Sequence, residues 1–139
     1  MEESKMNLCL KDALKITQAC EKKAQEMNVP VVITVVDQGG NYLSLHRMDN
    51  APVGCIQISI GKAYTAAVLK TPTDKLSQVC QPGQELYGLH ILNGGQFVVF
   101  GGGFPLIKGS EVIGAVGVSG GSVAEDMQIA RAGIEVFGE

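Results

Sequence analysis

The sequence predicts an α+β fold, in which helices pack on a five-stranded antiparallel sheet. Two observations favour this fold class. Short apolar runs occur in pairs that are joined by glycine-containing turns, as in antiparallel hairpins. Helical periodicity is confined to the segments before, between and after these pairs. The chain has 139 residues, close to the roughly 150 residues of a typical domain, so we expect a single domain over residues 1–139.

The chain is predicted to begin with a helix and a hairpin. Over residues 4–28, apolar side chains recur at steps of three and four, which predicts an amphipathic helix. The run Val31–Asp37 is β-branched and apolar on both faces, as expected of a central strand. A turn that contains two glycines follows, and Tyr42–Arg47 is the predicted return strand.

Three helical stretches are predicted in the middle of the chain. The first covers residues 50 to about 69, with Asn50 as its N-cap and Pro52 in its first turn. A short helix is predicted after it, over residues 71–79. A further short helical stretch is predicted over Glu85–Leu92, where it ends before an Asn-Gly-Gly sequence.

The last third is predicted to fold as strand, loop, hairpin and helix. Phe97–Phe100 is short and apolar, and it is the predicted third strand of the sheet. Phe104–Ile107 and Glu111–Ser119 flank a turn and form the second hairpin. A helix is predicted from Ser122 to about Phe137, because Ser122 and Glu125 have the spacing of a capping box.

Charge and composition argue against several classes of partner. The net charge is −3 and aromatic residues make up 5%, so neither a basic nor a stacking surface for nucleic acid is expected. The charge-free stretch from Leu86 to Ile107 is interrupted by glycines and a proline, which is atypical of a membrane span. The N-terminus has no apolar segment typical of a secretion signal, and the four cysteines lack zinc-binding spacing. We therefore expect a cytoplasmic protein with reduced thiols.

A long stretch with few charges predicts that the protein is an obligate homo-oligomer. The 39 residues from Leu86 to Ala124 contain two charged residues, Lys108 and Glu111, which flank the tip of a hairpin. Charge depletion on an exposed surface is typical of the core of an interface, and a C2 dimer is the simplest closed assembly. The alternative is that this stretch forms the core of the monomer.

Glycines are concentrated in the second half, where 14 of the 18 follow Gln81. Gly101, Gly102 and Gly103 could present backbone amides to an anionic or planar ligand, or they could form a bulge. Gly120 and Gly121 precede a helix N-terminus, which could bind an anion or be satisfied by its own cap. Lys62 lies in the middle of a predicted helix, between two small residues. Its side chain is expected either to be shielded from water or to extend along a boundary between helices or subunits.

Several short motifs follow one another between about Leu10 and Gly138. They include Ile60-Gly61-Lys62-Ala63-x-Thr65-Ala66, Gly101-Gly102-Gly103-x-Pro105-Leu106 and Gly117-Val118-Ser119-Gly120-Gly121. In this order, the motifs resemble those of the GlcG/HbpS family. The family includes haem-binding proteins and the C-terminal domain of PduO-type proteins. The resemblance implies a profilin-like fold, haem as a cofactor, and dimers that assemble into octamers.

The resemblance and the residues together indicate a candidate ligand site. We expect the two glycine loops to form one pocket, because the hairpin between them brings their ends together. Lys62 is the basic residue that matches the family, and we place it beside this pocket with Asp126 from the following helix. For a haem iron, His46 is a better candidate than His90, because the cation of the adjacent Arg47 could meet a haem propionate.

Three functions are compatible with these features. The first is a protein that binds a small ligand, haem or a related tetrapyrrole, as an accessory to diol, glycerol or glycolate metabolism. The second is a small-molecule enzyme or accessory factor of diol or hydroxyacid metabolism that uses Lys62 and the glycine loops. The third is a structural or regulatory oligomer without a ligand. The residues do not decide whether a reaction is catalysed.

Overall fold

The computed structural model describes residues 7–138. Its helices and strands are α1 Leu10–Met27, β1 Val32–Asp37, β2 Tyr42–Arg47, α2 Cys55–Val68, α3 Asp74–Val79, a 3-10 helix Leu89–Ile91, α4 Leu92–Gly95, β3 Gly103–Lys108, β4 Glu111–Ser119 and α5 Val123–Gly138.

The fold is α+β, as predicted, but the sheet of the described chain has four strands instead of five. The strand order is β2-β1-β4-β3, and all neighbouring strands are antiparallel. The predicted strand Phe97–Phe100 is wrong, because this segment does not join the sheet. The N–H of Val98 donates instead to the hydroxyl of Thr65 on α2, at 2.9 Å.

Helices cover both faces of the sheet. Helices α1 and α5 pack on each other and on one face, and α2 packs on the other face against β1, β3 and β4. Ile33 and Val35 of β1 enter the core beneath α1 and α5, whereas Val36 packs against the alanines of α2. A Cβ atom at Gly117 of β4 would collide with the backbone of α2. Small residues at this contact therefore allow the backbone of α2 to pack directly against the sheet.

Two predicted helix starts differ from the structure. Helix α2 begins at Cys55, and Asn50 is not its N-cap, because Asn50 has a left-handed backbone with φ 72° and lies in a turn. Helix α1 begins at Leu10, and residues 4–6 of the predicted helix lie outside the described residues. The capping box of α5 is confirmed: Ser122 Oγ accepts from the N–H of Glu125, and Glu125 Oε1 accepts from the N–H of Ser122.

One segment exposes several large apolar side chains. In place of the predicted helix Glu85–Leu92, the chain forms turns and short helical pieces. We call residues 86–100 the apolar segment, after its exposed members Leu86, Tyr87, Ile91, Leu92 and Phe100. Among the described residues, no helix has both the length and the hydropathy needed to cross a membrane.

Candidate functional site

The residues of the predicted site gather at one end of the sheet. Val32, at the start of β1, pairs with Arg47 at the end of β2 and with Ser119 at the end of β4. This end therefore holds two groups of side chains, one beside β2 and one beside β4. Because β1 separates them, β2 and β4 lie roughly 10 Å apart.

The group beside β4 is built around a buried ion pair, and we call it the lysine cluster. The Nζ atom of Lys62 donates to the carbonyl of Val118 at 2.8 Å and to Oδ2 of Asp126 at 3.1 Å. The two side chains are 1% and 4% exposed. Lys62 reaches from α2 past the end of the sheet to the first turn of α5, so this pair links the two helical layers.

Both glycine loops pack around this ion pair. The carbonyl of Gly102 accepts from the N–H of Val118 at 3.0 Å, and the N–H of Gly121 donates to Oδ1 of Asp126 at 2.8 Å. A Cβ atom at Gly102 would lie 2.5 Å from Nζ of Lys62. Gly101, Gly103 and Gly120 likewise have protein atoms where a Cβ would be. The loops thus meet at Lys62 and Asp126, and their glycines permit close packing there.

Burial sets the electrostatics of the lysine cluster. Loss of water lowers the pKa of Lys62 below its ordinary value, although the carboxylate of Asp126 opposes this shift. Loss of water raises the pKa of Asp126, against the effects of Lys62 and of the Gly121 N–H. The ring of Phe100, 5.2 Å from Nζ to its centroid, covers the ammonium group from the side of the apolar segment. The sequence did not single out Phe100.

The group beside β2 contains a second pair, which is exposed. Nδ1 of His46 lies 2.8 Å from Oε2 of Glu21 on α1, and their side chains are 42% and 28% exposed. Arg47 donates from Nη1 to the carbonyl of Ala51 at 3.1 Å. A cavity of about 360 Å³ lies beside Glu21 and is lined by Glu21, Gln25, Arg47, Met48 and Asp49, whereas His46 is not among its lining residues. We call Glu21, His46, Arg47 and this cavity the histidine site.

Glu21 was not among the residues predicted for the site. It lies on a helix 25 positions before His46, and the sequence does not indicate the direction of its side chain. His90 lies elsewhere, in the apolar segment, with its ring edge-on to Tyr87 at 5.9 Å between centroids. Within residues 7–138, no group of three or more His, Cys, Asp or Glu side chains could hold a metal ion. A metal bound at His46 would therefore have fewer than three protein ligands of this kind in the described chain.

Comparisons with known proteins agree with the motifs. A family model described as haem degrading protein HbpS-like matches residues 8–135. An uncharacterized 15.0 kDa protein of Citrobacter freundii, encoded in the dhaT-dhaS intergenic region, is 49% identical over 132 residues, which cover 95% of this chain and 93% of that protein.

Two further comparisons involve PduO proteins. The corrinoid adenosyltransferase PduO of Salmonella typhimurium is 41% identical over 133 residues, which are 96% of this chain and 40% of PduO. A crystal structure of a PduOC:heme complex superposes with a TM-score of 0.91 at 41% identity and covers 94% of each chain. Because the family model matches most of its length, and as its motifs predicted, this chain belongs to the HbpS-like family.

Proposed function

We propose that this protein binds haem and that His46 holds the iron. The observation behind this proposal is the contact between Nδ1 of His46 and Oε2 of Glu21 at 2.8 Å. A histidine that ligates a metal usually donates its other ring N–H to a carboxylate or carbonyl group, which orients the ring. Glu21 is placed for that role, and Nε2 is then the nitrogen for the iron.

The surroundings of His46 fit a haem. Arg47 is exposed beside the cavity, and a guanidinium group pairs well with a carboxylate such as a propionate. The side chain of Met48 lines the same cavity and offers an apolar contact. A bound haem would supply ligand-binding and redox chemistry. We propose no catalytic role for the residues of the histidine site.

The comparisons support haem as the ligand. The family model carries a haem-degrading description, and a structure at 41% identity is titled as a haem complex. The accessory role in diol, glycerol or glycolate metabolism rests on the family resemblance alone. A cytoplasmic location and the profilin-like classification also remain predictions.

A titration with hemin tests the proposal. We expect a Soret band that saturates at stoichiometric hemin and persists when albumin competes for the haem. His46→Ala should abolish that spectrum, and Glu21→Gln should weaken binding roughly 10- to 100-fold, the usual cost of losing the partner of a metal ligand. His90→Ala is the matched control and should titrate like the wild type. Absorbance that never saturates, or an unchanged spectrum in His46→Ala, would contradict the proposal.

We further propose that the protein is a homo-oligomer, a dimer or an octamer built from dimers, and that the apolar segment forms an interface. Exposed apolar patches of this kind usually mark an interaction site. Light scattering after gel filtration should give a mass well above the 14.6 kDa of one chain. Ile91→Glu should reduce that mass, whereas Val53→Glu, at an equally exposed apolar residue outside the segment, should not. A wild-type mass equal to one chain would refute this proposal.

The structure does not favour a small-molecule enzyme that uses Lys62 and the glycine loops. The ammonium group of Lys62 already donates to two protein acceptors and is buried. A ligand role for Lys62, Asp126 and the loop glycines therefore remains a prediction of the sequence, as does the third function, an oligomer without a ligand.

A further inference from the structure

A second cavity lies far from the histidine site, between α2 and the end of the apolar segment. It measures about 400 Å³, near the lower end of the range of small-molecule pockets. Gln57, Ile58 and Ile60 line it from α2, and Asn93, Gln96 and Val98 line it from the opposite side. We call it the amide cleft. Tyr42 contributes from the start of β2, whereas His46 is near the other end of that strand.

Specific contacts hold the outer wall of the cleft against α2. The side-chain amide of Asn93 donates to the hydroxyl of Tyr64 at 2.5 Å, and the ring of Phe97 stacks on Tyr64 at 5.9 Å between centroids. A Cβ atom at Gly61 would lie 2.5 Å from Val98, so the glycine permits this close approach. These contacts fix the position of residues 93–98 against α2, and the cavity remains beside them.

The chemistry of the cleft is unlike that of the other cavities. None of its ten lining residues is charged, whereas four other cavities in the described chain contain charged residues such as Lys15, Asp49 or Glu85. Its polar groups are three carboxamides and a phenol, each of which can both donate and accept a hydrogen bond. Hydroxyl groups have the same dual character.

We propose that the amide cleft binds a small neutral molecule with several hydroxyl groups, such as a short polyol. Gln57, Asn93, Gln96 and Tyr42 would exchange hydrogen bonds with the hydroxyl groups. The side chains of Ile58 and Val98 would contact the carbon skeleton. An anionic or cationic ligand would lose its hydration without gaining a counter-charge, which is unfavourable. This site is independent of the proposed haem site. Its outer wall belongs to the apolar segment, so the proposal requires that the proposed subunit interface use the exposed side chains of residues 86–92 and leave the cleft accessible.

Nuclear magnetic resonance of the full chain, labelled with ¹⁵N, tests the proposal with glycerol and erythritol as probes. We expect saturable shifts of the side-chain amide signals of Gln57, Asn93 and Gln96. Glycerate, which has a similar skeleton and a negative charge, should bind at least roughly tenfold more weakly. Gln57→Leu should weaken polyol binding roughly tenfold by removing one hydrogen-bonding group, and Gln96→Leu is a second variant with the same expectation.

Gln78→Leu is the matched control, because Gln78 is an exposed glutamine on α3 outside the cleft, and it should bind the polyols like the wild type. Gln57→Leu should also bind hemin normally, so a failure at this site is distinguishable from a failure at His46. The proposal is overturned if neither polyol gives a saturable shift, if glycerate binds as well as glycerol, or if Gln57→Leu and Gln96→Leu both titrate like the wild type.

Discussion

Two side-chain pairs, each of a nitrogen base and a carboxylate, lie at the same end of the sheet, and they differ mainly in their exposure. Lys62 and Asp126 are 1% and 4% exposed, whereas His46 and Glu21 are 42% and 28% exposed. In the buried pair, the carbonyl of Val118 and the N–H of Gly121 complete the hydrogen bonds inside the protein. In the partly exposed pair of His46 and Glu21, Nδ1 of the histidine contacts the carboxylate, and Nε2 is the nitrogen that we propose for the haem iron.

The difference in exposure distinguishes the structural role of the lysine cluster from the proposed binding role of the histidine site. Burial shifts both pKa values of the lysine cluster toward the neutral forms, which means that burial penalises the two charges more than their contacts compensate. The two charges can remain buried only while they contact each other and the groups that hydrogen-bond to them. The lysine cluster therefore favours the one arrangement of helices and loops that provides these contacts. The pair of His46 and Glu21 is more exposed and loses less free energy by rearranging, which is compatible with its proposed role in binding.

The largest expected effect comes from breaking the buried pair. Asp126→Leu leaves the ammonium of Lys62 buried without a counter-charge, and we expect the free energy of unfolding to fall by about 3–5 kcal/mol. Denaturation by urea measures this loss. If Asp126→Leu is too unstable to purify, Asp126→Asn should show a smaller loss, because the amide oxygen can still accept a hydrogen bond.

The double variant Lys62→Met/Asp126→Leu is the control for that experiment. It removes both charges, with Met matching the length of Lys and Leu keeping the branching of Asp, so it should regain most of the stability that the single variant loses. A double variant as unstable as Asp126→Leu would show that the loss comes from packing and not from the unpaired charge.

A smaller effect is expected from crowding the lysine cluster. Gly102→Ala places a methyl group 2.5 Å from Nζ of Lys62, at a residue with φ 130°, and we expect a loss of about 1–3 kcal/mol by urea denaturation. Gly54→Ala is the matched control, since its Cβ would meet nothing within 4 Å, and it should change stability by less than about 0.5 kcal/mol. Equal effects in the two variants would mean that the glycine loops are not closely packed on Lys62.

The smallest effect is expected at the exposed pair. Glu21→Gln should lower the free energy of unfolding by less than about 1 kcal/mol, because exposed ion pairs contribute little. The same protein preparation should nevertheless bind hemin more weakly. A loss of stability as large as that of Asp126→Leu would remove the distinction between the two pairs.

The sequence predicted the elements whose pattern extends over several turns or forms a hairpin. Helix α5 and strands β1, β2 and β4 were predicted within one residue at each end, and so was the C-terminal end of α1, because apolar periodicity and turn residues agree there. The error at Phe97–Phe100 arose because four apolar residues do not indicate where their backbone hydrogen bonds go. In the structure, Thr65 on α2 accepts from Val98, and no strand pairs with this segment in the described chain.

Most members of the candidate site were predictable from the sequence, but Glu21, Phe100 and the geometry of the site were not. The motifs named Lys62, Asp126 and both glycine loops, yet they could not distinguish a buried lysine from one at a boundary. The sequence signal for burial was the small residues around Lys62. Ala63 and Gly117 let α2 approach the sheet closely, and Gly61 lets residues 96–98 approach α2 from its other side. The partnership of His46 with Glu21 depends on how α1 crosses β2, which a local pattern does not encode.

The ion pair of the lysine cluster joins residues 64 positions apart in the chain. The hairpin β3–β4 lies between α2 and α5 in the chain, so this contact closes a loop that contains the whole hairpin. Any later separation of α5 from the sheet would leave a buried ammonium without its carboxylate. Helix α2, strand β4 and helix α5 should therefore open together, as one cooperative unit whose amide protons exchange with solvent at a common free energy.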